Sequence, residues 1–309
     1  MMALRAHSRG GPEQLVYEQA PRPEPGVGEV LVAVRATGIT FAELTWDESW
    51  TTRDGADRTP VIPGHEVSGT VAAIGSAVTG VAAGDAVYGL IDFDRDGAAA
   101  EYVTVPATTL AARPGSVTDV EAATLPLAAL TAWQALIDHA GLQSGERVLV
   151  QGGAGGVGVY AVQIASLLGG DVTATGRAAS EDFVRQLGAT GFVPAPNPSG
   201  HRQPDGFDVV IDTVGGEVLT ASFDLLRPGG RLVTLAAPPD QAQAAEHNVR
   251  ATFFVVEPDR EDLSQIAELA EQGRIRPIVS QTFALPDGRQ AYESASQPHP
   301  PGKTVLVVA

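Results

Sequence analysis

Apolar and polar positions alternate over short stretches of the N-terminal part of the chain, up to about residue 120. The clearest stretches are Glu29–Ala36 (EVLVAVRA) and Val67–Ile74, and Glu13–Gln19 and Ala86–Leu90 are shorter examples. This near-alternating spacing of Val and Ala, with Gly and Pro in the gaps, is typical of β-strands. The polar segment Thr45–Arg58 interrupts the pattern, which predicts either a loop or short helix over a site or a plain surface insertion.

From about residue 121 the pattern changes to short apolar stretches that alternate with helical spacing. Val120–His139 has helical spacing that Pro126 interrupts. The predicted strand and helix pairs are Arg147–Gln151 with a helix to about Leu168, Asp171–Thr175 with Glu181–Leu187, Asp208–Asp212 with Val218–Leu226, and then Arg231–Leu235; Phe253–Val256, Thr282–Phe283 and Thr304–Val308 predict later strands and Leu263–Glu271 a helix. Such alternation predicts an α/β fold with a doubly wound parallel sheet.

Composition and charge exclude several classes of function. The formal net charge of −17 would repel phosphate backbones and anionic membrane surfaces, so we expect neither a nucleic-acid nor a membrane partner. The absence of cysteine excludes disulfides, Cys nucleophiles and Cys-containing zinc sites. No apolar run approaches the roughly 20 residues of a membrane span, and the N-terminus lacks a signal-peptide pattern, so we expect a cytoplasmic protein.

A glycine-rich segment follows the strand Arg147–Gln151 and precedes a helix. Its residues Gly153, Gly155 and Gly158 form G-x-G-x-x-G, with Gly156 and Val157 between them. In this setting the first glycine permits a tight turn, the second lets backbone N–H groups approach a pyrophosphate, and the third lets the helix pack close to the strand. The helix N-terminus supplies the partial positive charge that an acidic protein otherwise lacks. The segment therefore predicts a dinucleotide site, although a glycine turn without a ligand is the alternative.

The end of the next strand indicates which dinucleotide binds. A site for NAD would place Asp or Glu there, whereas this chain has Gly176, Arg177 and, slightly later, Ser180. A guanidinium can bind a 2′-phosphate through two parallel hydrogen bonds, and a hydroxyl can add another. These residues predict NADPH as the cofactor. The alternative is that Arg177 is an ordinary surface arginine.

At this point the chain resembles a known family. It is similar, over essentially its whole length, to the zeta-crystallin-like quinone oxidoreductase branch of the zinc-free medium-chain dehydrogenases/reductases. The matching positions are Gly145, Glu146, Leu149, Gly153–Gly156, Gly158, Gln163 and Ser166, with supporting stretches at Pro25–Val34, Gly84–Gly89, Asp208–Gly216, Leu226–Leu232 and Gly302-Lys303.

The resemblance implies two domains and a set of cofactor contacts. A GroES-like β-rich catalytic domain would comprise residues 1–120 and 261–309, a Rossmann domain residues 121–260, and the active site the cleft between them. Homodimers would form through the last Rossmann strands, near Ala251–Val256. Beyond the glycine segment, Arg177 and Ser180, the cofactor contacts would be Thr131, Asp212, Val214, Leu235, Ala236, Phe253, Val255 and Lys303.

A motif around His65 resembles the segment that carries a zinc-ligand histidine in metal-dependent relatives. The remaining ligands are missing, because Thr40 stands where those relatives have Cys and the region Pro126–Thr131 offers no third ligand. We therefore expect no metal. His65 is then either a packed, hydrogen-bonded residue or a contact for substrate or proton transfer.

Without a Lewis acid, hydride addition to a conjugated C=C needs less assistance than reduction of a simple ketone. The hypothesis is transfer of hydride from NADPH to a quinone or an α,β-unsaturated carbonyl compound, with Thr40 and His65 as catalytic donors. Phe41, Trp46, Ile91 and Phe93 are predicted as apolar walls of the substrate site, with ordinary core packing as the alternative.

Two departures from the resembled pattern keep other functions open. Thr40 stands where quinone oxidoreductases usually have Asn, and Ala99 replaces a frequent Tyr. One alternative is an enoyl-thioester or biosynthetic tailoring reductase, whose phosphate-bearing arm would have to be bound by arginines because Lys303 is the single lysine. The other is a non-catalytic NADPH-binding protein.

Overall fold

The computed structural model describes residues 1–195 and 205–309 and divides the chain into two compact units. The first unit comprises Met1–Leu130 and Glu257–Ala309, and the second comprises Thr131–Val256. The resemblance had placed these boundaries after residues 120 and 260. Residues just after 120 belong to the first unit because Val120 and Ala123 pack against its strands at Ala36 and Val305.

The strands and helices of both units follow the chain in this order. The strands are β1 (Met2–Ala6), β2 (Leu15–Gln19), β3 (Glu29–Gly38), β4 (Glu66–Ile74), β5 (Ala86–Leu90), β6 (Tyr102–Pro106), β7 (Leu110–Ala112), β8 (Arg147–Gln151), β9 (Asp171–Gly176), β10 (Gly191–Pro194), β11 (Phe207–Asp212), β12 (Leu226–Thr234), β13 (Arg250–Phe253), β14 (Val279–Ala284) and β15 (Lys303–Val307). The helices are α1 (Asp119–Ala122), α2 (Ala128–Gln134), α3 (Gly158–Leu167), α4 (Glu181–Gln186), α5 (Gly216–Ser222), α6 (Gln241–Glu246), α7 (Arg260–Glu271) and α8 (Gly288–Glu293).

The first unit is built on a mixed sheet with the order β14-β15-β3-β4-β5-β7, in which β6 also pairs with β3. The near-alternating valines and alanines of the sequence fall in these strands, but burial extends through consecutive residues of β3, β4 and β5. Val32, Val67 and Val87 belong to one hydrophobic core. The C-terminal β15 pairs antiparallel with the end of β3, with Val305 opposite Gly38. This pairing places the last residues of the chain beside residues 38–40.

The second unit is a six-stranded sheet with the order β10-β9-β8-β11-β12-β13, and each adjacent pair is parallel. The predicted α/β class and doubly wound parallel sheet are therefore confirmed. The strand β13 lies at one edge of the sheet. Homodimer formation through that edge stays a prediction, which the mass of the protein in solution would test.

Several predicted elements differ from the structure. The strands β1, β6, β7 and β10 were not predicted. The helical stretch Val120–His139 is divided into α1 and α2 around Pro126, as the interruption in the sequence predicted, because proline has no N–H to donate. The helix expected to end at Leu226 ends at Ser222, and β12 begins at Leu226, which pairs with Phe207 of β11. The segment Thr45–Arg58 contains short 3₁₀ turns and an isolated antiparallel bridge between Thr51 and Asp57. That it covers a site stays a prediction. In the described residues, no helix is both long and apolar enough to span a bilayer.

Candidate functional site

The turn between β8 and α3 is too crowded for side chains at two of its glycines. A Cβ at Gly158 would lie 2.0 Å from the carbonyl oxygen of Gly152, and one at Gly153 would lie 2.7 Å from Ala174 Cβ. At Gly155 the nearest atom is again the Gly152 oxygen, at 3.2 Å. The fold itself therefore requires glycine at 153 and 158, whereas Gly155 leaves space at the surface of the turn.

Hydrogen bonds to β9 fix the backbone of this turn. The Gly153 N–H donates to the Thr175 carbonyl oxygen at 2.8 Å, and the Gly152 N–H donates to Thr175 Oγ1 at 3.0 Å. The Gly155 N–H donates to the Gly152 oxygen at 2.9 Å. The turn is thus held in place by the strand at whose end Arg177 lies.

Three backbone amides of the turn have no partner in the described part of the chain. The N–H groups of Ala154, Gly156 and Val157 are half-buried and donate to no oxygen of residues 1–195 or 205–309. They precede the N-terminus of α3, where the aligned peptide dipoles favour an anion. This backbone surface fits the pyrophosphate of a dinucleotide, which is the ligand that the sequence predicted.

The end of β9 provides a cation beside open space. A Cβ at Gly176 would meet only the Phe192 ring at 3.5 Å and Ala154 Cβ at 3.9 Å, so the space there is not required by the fold. Arg177 is exposed, and no carboxylate in the described residues pairs with it. Ser180 lies within the next turn, its N–H donating to the Arg177 oxygen at 2.8 Å. An unpaired guanidinium at this position suits a 2′-phosphate.

The other predicted cofactor residues of the second unit, except Thr131, follow the carboxyl ends of parallel strands. Val214 lies after β11, Leu235 and Ala236 after β12, and Val255 after β13, with Phe253 at the end of that strand. Val214 and Val255 are exposed apolar side chains. Ligands of doubly wound sheets bind at this end, so these positions are consistent with a bound dinucleotide.

Two other predicted cofactor residues, Asp212 and Thr131, are buried. The Asp212 carboxylate accepts hydrogen bonds from the Val214 N–H at 3.0 Å, from the Gly215 N–H and from Thr234 Oγ1, which are all within the chain. Asp212 therefore shapes the loop after β11, because a fully buried carboxylate with three donors holds the backbone in place. Thr131 is buried in α2.

Two of the predicted substrate walls lie together with His65 in the first unit. The His65 and Phe93 rings are 5.2 Å apart, and the Phe93 and Trp46 rings are 5.3 Å apart, both edge to face. Phe41 is half-buried and lies 6.0 Å from the His299 ring, away from this aromatic cluster. Ile91 is completely buried in the hydrophobic core, as the packing alternative predicted.

His65 is held by a buried carboxylate. Its Nδ1 lies 2.8 Å from Glu43 Oε2, and its Nε2 lies 3.3 Å from the Arg95 carbonyl oxygen. Glu43 also accepts hydrogen bonds from the Gly64 N–H at 2.9 Å and from the Tyr292 hydroxyl. Burial alone would raise the pKa of Glu43, but the hydrogen bonds from these partners, above all His65, outweigh it and hold the pKa below its ordinary value. Burial and the nearby Glu43 raise the pKa of Tyr292, so this phenol stays protonated.

The lowered pKa of Glu43 predicts a pH-dependent contribution to stability. A carboxylate with a depressed folded-state pKa stabilises the fold fully above its unfolded value of 4.5, and this stabilisation is lost as the pH falls through the lower folded value. We expect Glu43→Gln to reduce the free energy of unfolding by about 2 kcal/mol at neutral pH and by less in acid. Urea unfolding over that pH range measures the difference. The exposed Glu48→Gln is the control, and an equal loss at every pH would contradict the assignment.

A second buried ion pair involves the single lysine. Lys303 Nζ lies 2.5 Å from Glu66 Oε2, and it donates to the Ile39 carbonyl oxygen at 2.9 Å and to Thr40 Oγ1 at 3.1 Å. Glu66 Oε1 accepts the Leu127 N–H at 3.0 Å. The register explains the cluster, because Glu66 begins β4, Lys303 begins β15, and both strands pair with the end of β3.

The Lys303 ammonium, which was predicted to contact the cofactor, is surrounded by oxygens of the protein itself. The side chain is 7% exposed, and three oxygens of the first unit surround its Nζ. The ammonium is therefore engaged with Thr40 and Glu66, and its role as a cofactor contact stays a prediction.

The side chains around His65 and Thr40 do not suit a zinc ion. Both ring nitrogens of His65 face acceptors of the chain, and the ammonium of Lys303 lies at the Thr40 hydroxyl, where it would repel a dication. Within residues 1–195 and 205–309, no cluster of three or more His, Asp or Glu side chains has the geometry of a metal site. Zinc requires several such donors at once.

The sequence did not identify Tyr292 or Glu66 as members of this site. Tyr292 lies on α8, 249 residues from Glu43, and its segment carries no motif. Glu66 lies within the His65 motif, so its position next to a candidate donor was available as a signal. Its ion-pair partner, Lys303, is distant in sequence, so the pair itself could not be predicted.

Comparisons with known proteins agree with this architecture. Residues 26–115 match the family model described as "Alcohol dehydrogenase GroES-like domain", and residues 168–306 match the one described as "Zinc-binding dehydrogenase". A probable zinc-binding mitochondrial oxidoreductase of Arthroderma benhamiae is 33% identical over 95% of this chain and 93% of its own length.

Two further similarities bear on function. The chain is 36% identical to part of the spectinabilin polyketide synthase system protein NorB of Streptomyces orinoci. The match covers 94% of this chain and 14% of that protein. Among solved structures, the quinone oxidoreductase from Coxiella burnetii superposes with a TM-score of 0.91 at 28% identity, covering 100% of this chain and 99% of that one.

Proposed function

Because the chain belongs to the medium-chain dehydrogenase/reductase family and is similar to its quinone oxidoreductases, we propose that it is an NADPH-dependent, zinc-independent reductase of quinones or α,β-unsaturated carbonyl compounds. One observation carries the proposal. Among residues 1–195 and 205–309, no oxygen accepts from the amides of Ala154, Gly156 and Val157 at the N-terminus of α3, and no carboxylate pairs with Arg177; the turn is bonded to β9, which ends beside Arg177. Together they offer an anion site for the pyrophosphate and a cation for the 2′-phosphate.

The chemistry follows from the side chains of the first unit. The glycine turn and Arg177 would hold NADPH, which would supply the hydride that the β-carbon of a conjugated C=C bond accepts. The electron pair of that bond moves to the carbonyl oxygen as an enolate, and a proton from a donor or water completes the product. Thr40 carries a hydroxyl and His65 an imidazole that can donate hydrogen bonds to such an oxygen, and the Trp46 and Phe93 rings offer an apolar surface beside His65.

Zinc independence is supported by the buried charges. Glu43 is already hydrogen-bonded to His65, and Glu66 already forms an ion pair with Lys303, which itself donates to Thr40. A zinc ion would have to break both pairs. We infer that the reaction uses hydrogen-bond donors, and activity unaffected by prolonged dialysis against a chelator is the expected result.

A panel assay tests the proposal. The oxidation of NADPH is followed with quinones, enones, alkenals and enoyl thioesters, and the binding of NADPH is measured separately by calorimetry. We expect turnover with quinones or enones. Tight binding without turnover would overturn the proposal in favour of a non-catalytic NADPH-binding protein, and absence of binding would overturn it altogether.

Enoyl-thioester reduction is the second candidate, because the chain is similar to part of a polyketide synthase protein. A thioester carried on a phosphopantetheine arm needs cations for its phosphate, and these would be arginines in this chain. A kcat/KM for enoyl thioesters well above that for enones would favour this candidate.

The cofactor preference should depend on Arg177. We expect Arg177→Ala to lower kcat/KM for NADPH by roughly 10- to 100-fold and to leave that for NADH unchanged, because about 1.5–3 kcal/mol of charged hydrogen bonding to the 2′-phosphate is lost. Steady-state kinetics with both cofactors measures the change. Arg185→Ala is the control, since Arg185 is an arginine of the same unit already paired with Glu181. An unchanged preference in Arg177→Ala would refute the assignment.

A further inference from the structure

The hydrogen-bonding arrangement at Thr40 shows where its hydroxyl proton can go. Lys303 Nζ donates to Thr40 Oγ1 at 3.1 Å, so the oxygen acts as an acceptor in that contact. Among the described residues, none accepts a hydrogen bond from the Thr40 hydroxyl. The side chain is half-buried, so its O–H remains available to a ligand.

The lysine itself is fixed in position and in charge. Its Nζ is 2.5 Å from Glu66 Oε2 and 2.9 Å from the Ile39 oxygen, and both Lys303 and Glu66 are buried. Gly38 makes this arrangement possible, since a Cβ there would lie 2.6 Å from Glu66 Oε2 and 2.4 Å from the Ala123 oxygen. Three strands of one sheet therefore hold the cation behind the Thr40 hydroxyl.

We propose that Lys303 is a positioning residue for the reduction: it orients the Thr40 hydroxyl as a donor toward the substrate's carbonyl oxygen and supplies positive potential behind it. This inference rests on the proposed function. A hydrogen bond from a cation to a hydroxyl polarises the O–H, so the hydroxyl donates more strongly to an oxygen that becomes negative. The effect is greatest in the transition state, where the enolate charge develops. Glu66 balances the charge of the lysine in the absence of substrate.

The test must separate positioning from structural support. Lys303→Met alone leaves the Glu66 carboxylate buried without a partner and can prevent folding. The double variant Lys303→Met/Glu66→Gln removes both charges, and the Gln carbonyl oxygen can still accept the Leu127 N–H. The matched control is Arg289→Met/Glu293→Gln, which neutralises an exposed ion pair of the same unit in the same way.

We expect the Lys303→Met/Glu66→Gln variant to fold and, at saturating NADPH, to reduce an enone with a kcat about tenfold lower. In a Thr40→Val background the same double substitution should have almost no further effect, because Lys303 acts through the Thr40 hydroxyl. The proposal would be overturned if the double substitution left kcat unchanged. It would also be overturned if the fold reductions in kcat from Thr40→Val and from the double substitution multiplied when the two were combined. Wild-type protein that reduces no member of the panel would count against the proposed function instead.

A second measurement uses the wild-type protein, so it does not depend on whether a variant folds. Because Lys303 is the single lysine, protein made with ζ-¹⁵N-lysine gives one side-chain resonance that reports on this ammonium alone. In the presence of oxidised cofactor, we expect a saturated, non-reducible ketone to shift that resonance, whereas the corresponding alkane should not. A resonance that the ketone leaves unmoved at saturation would overturn the proposal.

Discussion

Gly155→Ala should lower the affinity for NADPH by about 100-fold, roughly 2.7 kcal/mol, with a change in the free energy of unfolding below about 1 kcal/mol. The added Cβ would meet only the Gly152 carbonyl oxygen at 3.2 Å, so a shift of a few tenths of an ångström would accommodate it. A methyl group on the surface of the turn would keep the pyrophosphate from the amides of Gly156 and Val157, and each charged hydrogen bond so lost is costly. Calorimetry with NADPH and urea unfolding measure the two quantities.

Gly158→Ala is the matched comparison in the same motif. Its Cβ would lie 2.0 Å from the Gly152 oxygen and 2.8 Å from Gly153 Cα, and these backbone atoms cannot move without opening the turn. We expect a loss of about 3 kcal/mol or more in stability, together with the loss of binding. If Gly155→Ala bound NADPH as tightly as the wild type, the turn would not be the phosphate site, and the proposed function would lose its main support.

These two glycines also show why the nucleotide site could be predicted from the sequence. The strand, the turn and the helix are contiguous in sequence, so the spacing of Gly153, Gly155 and Gly158 is enough to predict the backbone conformation of the turn. The exposed position of Arg177 follows similarly from the strand before it. The parallel sheet was predictable because alternating strands and helices leave few topologies.

The polar clusters of the first unit could not be predicted because they depend on long-range pairing. Lys303 reaches Thr40 only because β15, from the C-terminal end, pairs with β3, and the alternation pattern does not specify strand partners. Tyr292 reaches Glu43 from a helix whose apolar spacing predicts nothing about a hydroxyl. The strand β7 was missed because its three residues carry too little periodicity. The five residues of β6 alternate between half-buried and buried positions, so this strand could have been predicted.

The same clusters explain the departures at positions where relatives place other residues. A cysteine at 40 would be a zinc ligand in the metal-dependent relatives that the sequence resembles, whereas the Thr40 hydroxyl accepts a hydrogen bond from a lysine. His65 is similarly bonded to Glu43. The oxygen and nitrogen atoms of Thr40 and His65 are therefore arranged for hydrogen bonding, which is what the proposed reduction would use.

Thr40→Val should lower kcat with an enone by about 100-fold, roughly 2.7 kcal/mol of transition-state stabilisation, because valine has the same shape but no hydroxyl to donate to the enolate oxygen. Thr40→Ser keeps the hydroxyl and should retain kcat within about threefold. The KM for NADPH should be unchanged in both, since the proposed role of Thr40 is a hydrogen bond to the substrate's oxygen and not to the cofactor. Steady-state kinetics with one enone measures these values: the enone is varied at saturating NADPH for kcat, and NADPH is varied at saturating enone for its KM.

The division of the loss between kcat and KM identifies what the hydroxyl does. An equal fall in kcat and kcat/KM means that the hydrogen bond forms only as charge develops on the oxygen, whereas a higher KM with unchanged kcat means that it binds substrate and transition state equally. We expect the first result, because Lys303 already bonds to Thr40 Oγ1 and polarises its O–H toward an anionic acceptor. The second result would leave Thr40 as a binding contact, and full kcat in Thr40→Val would assign the donor role to His65, a backbone amide or water.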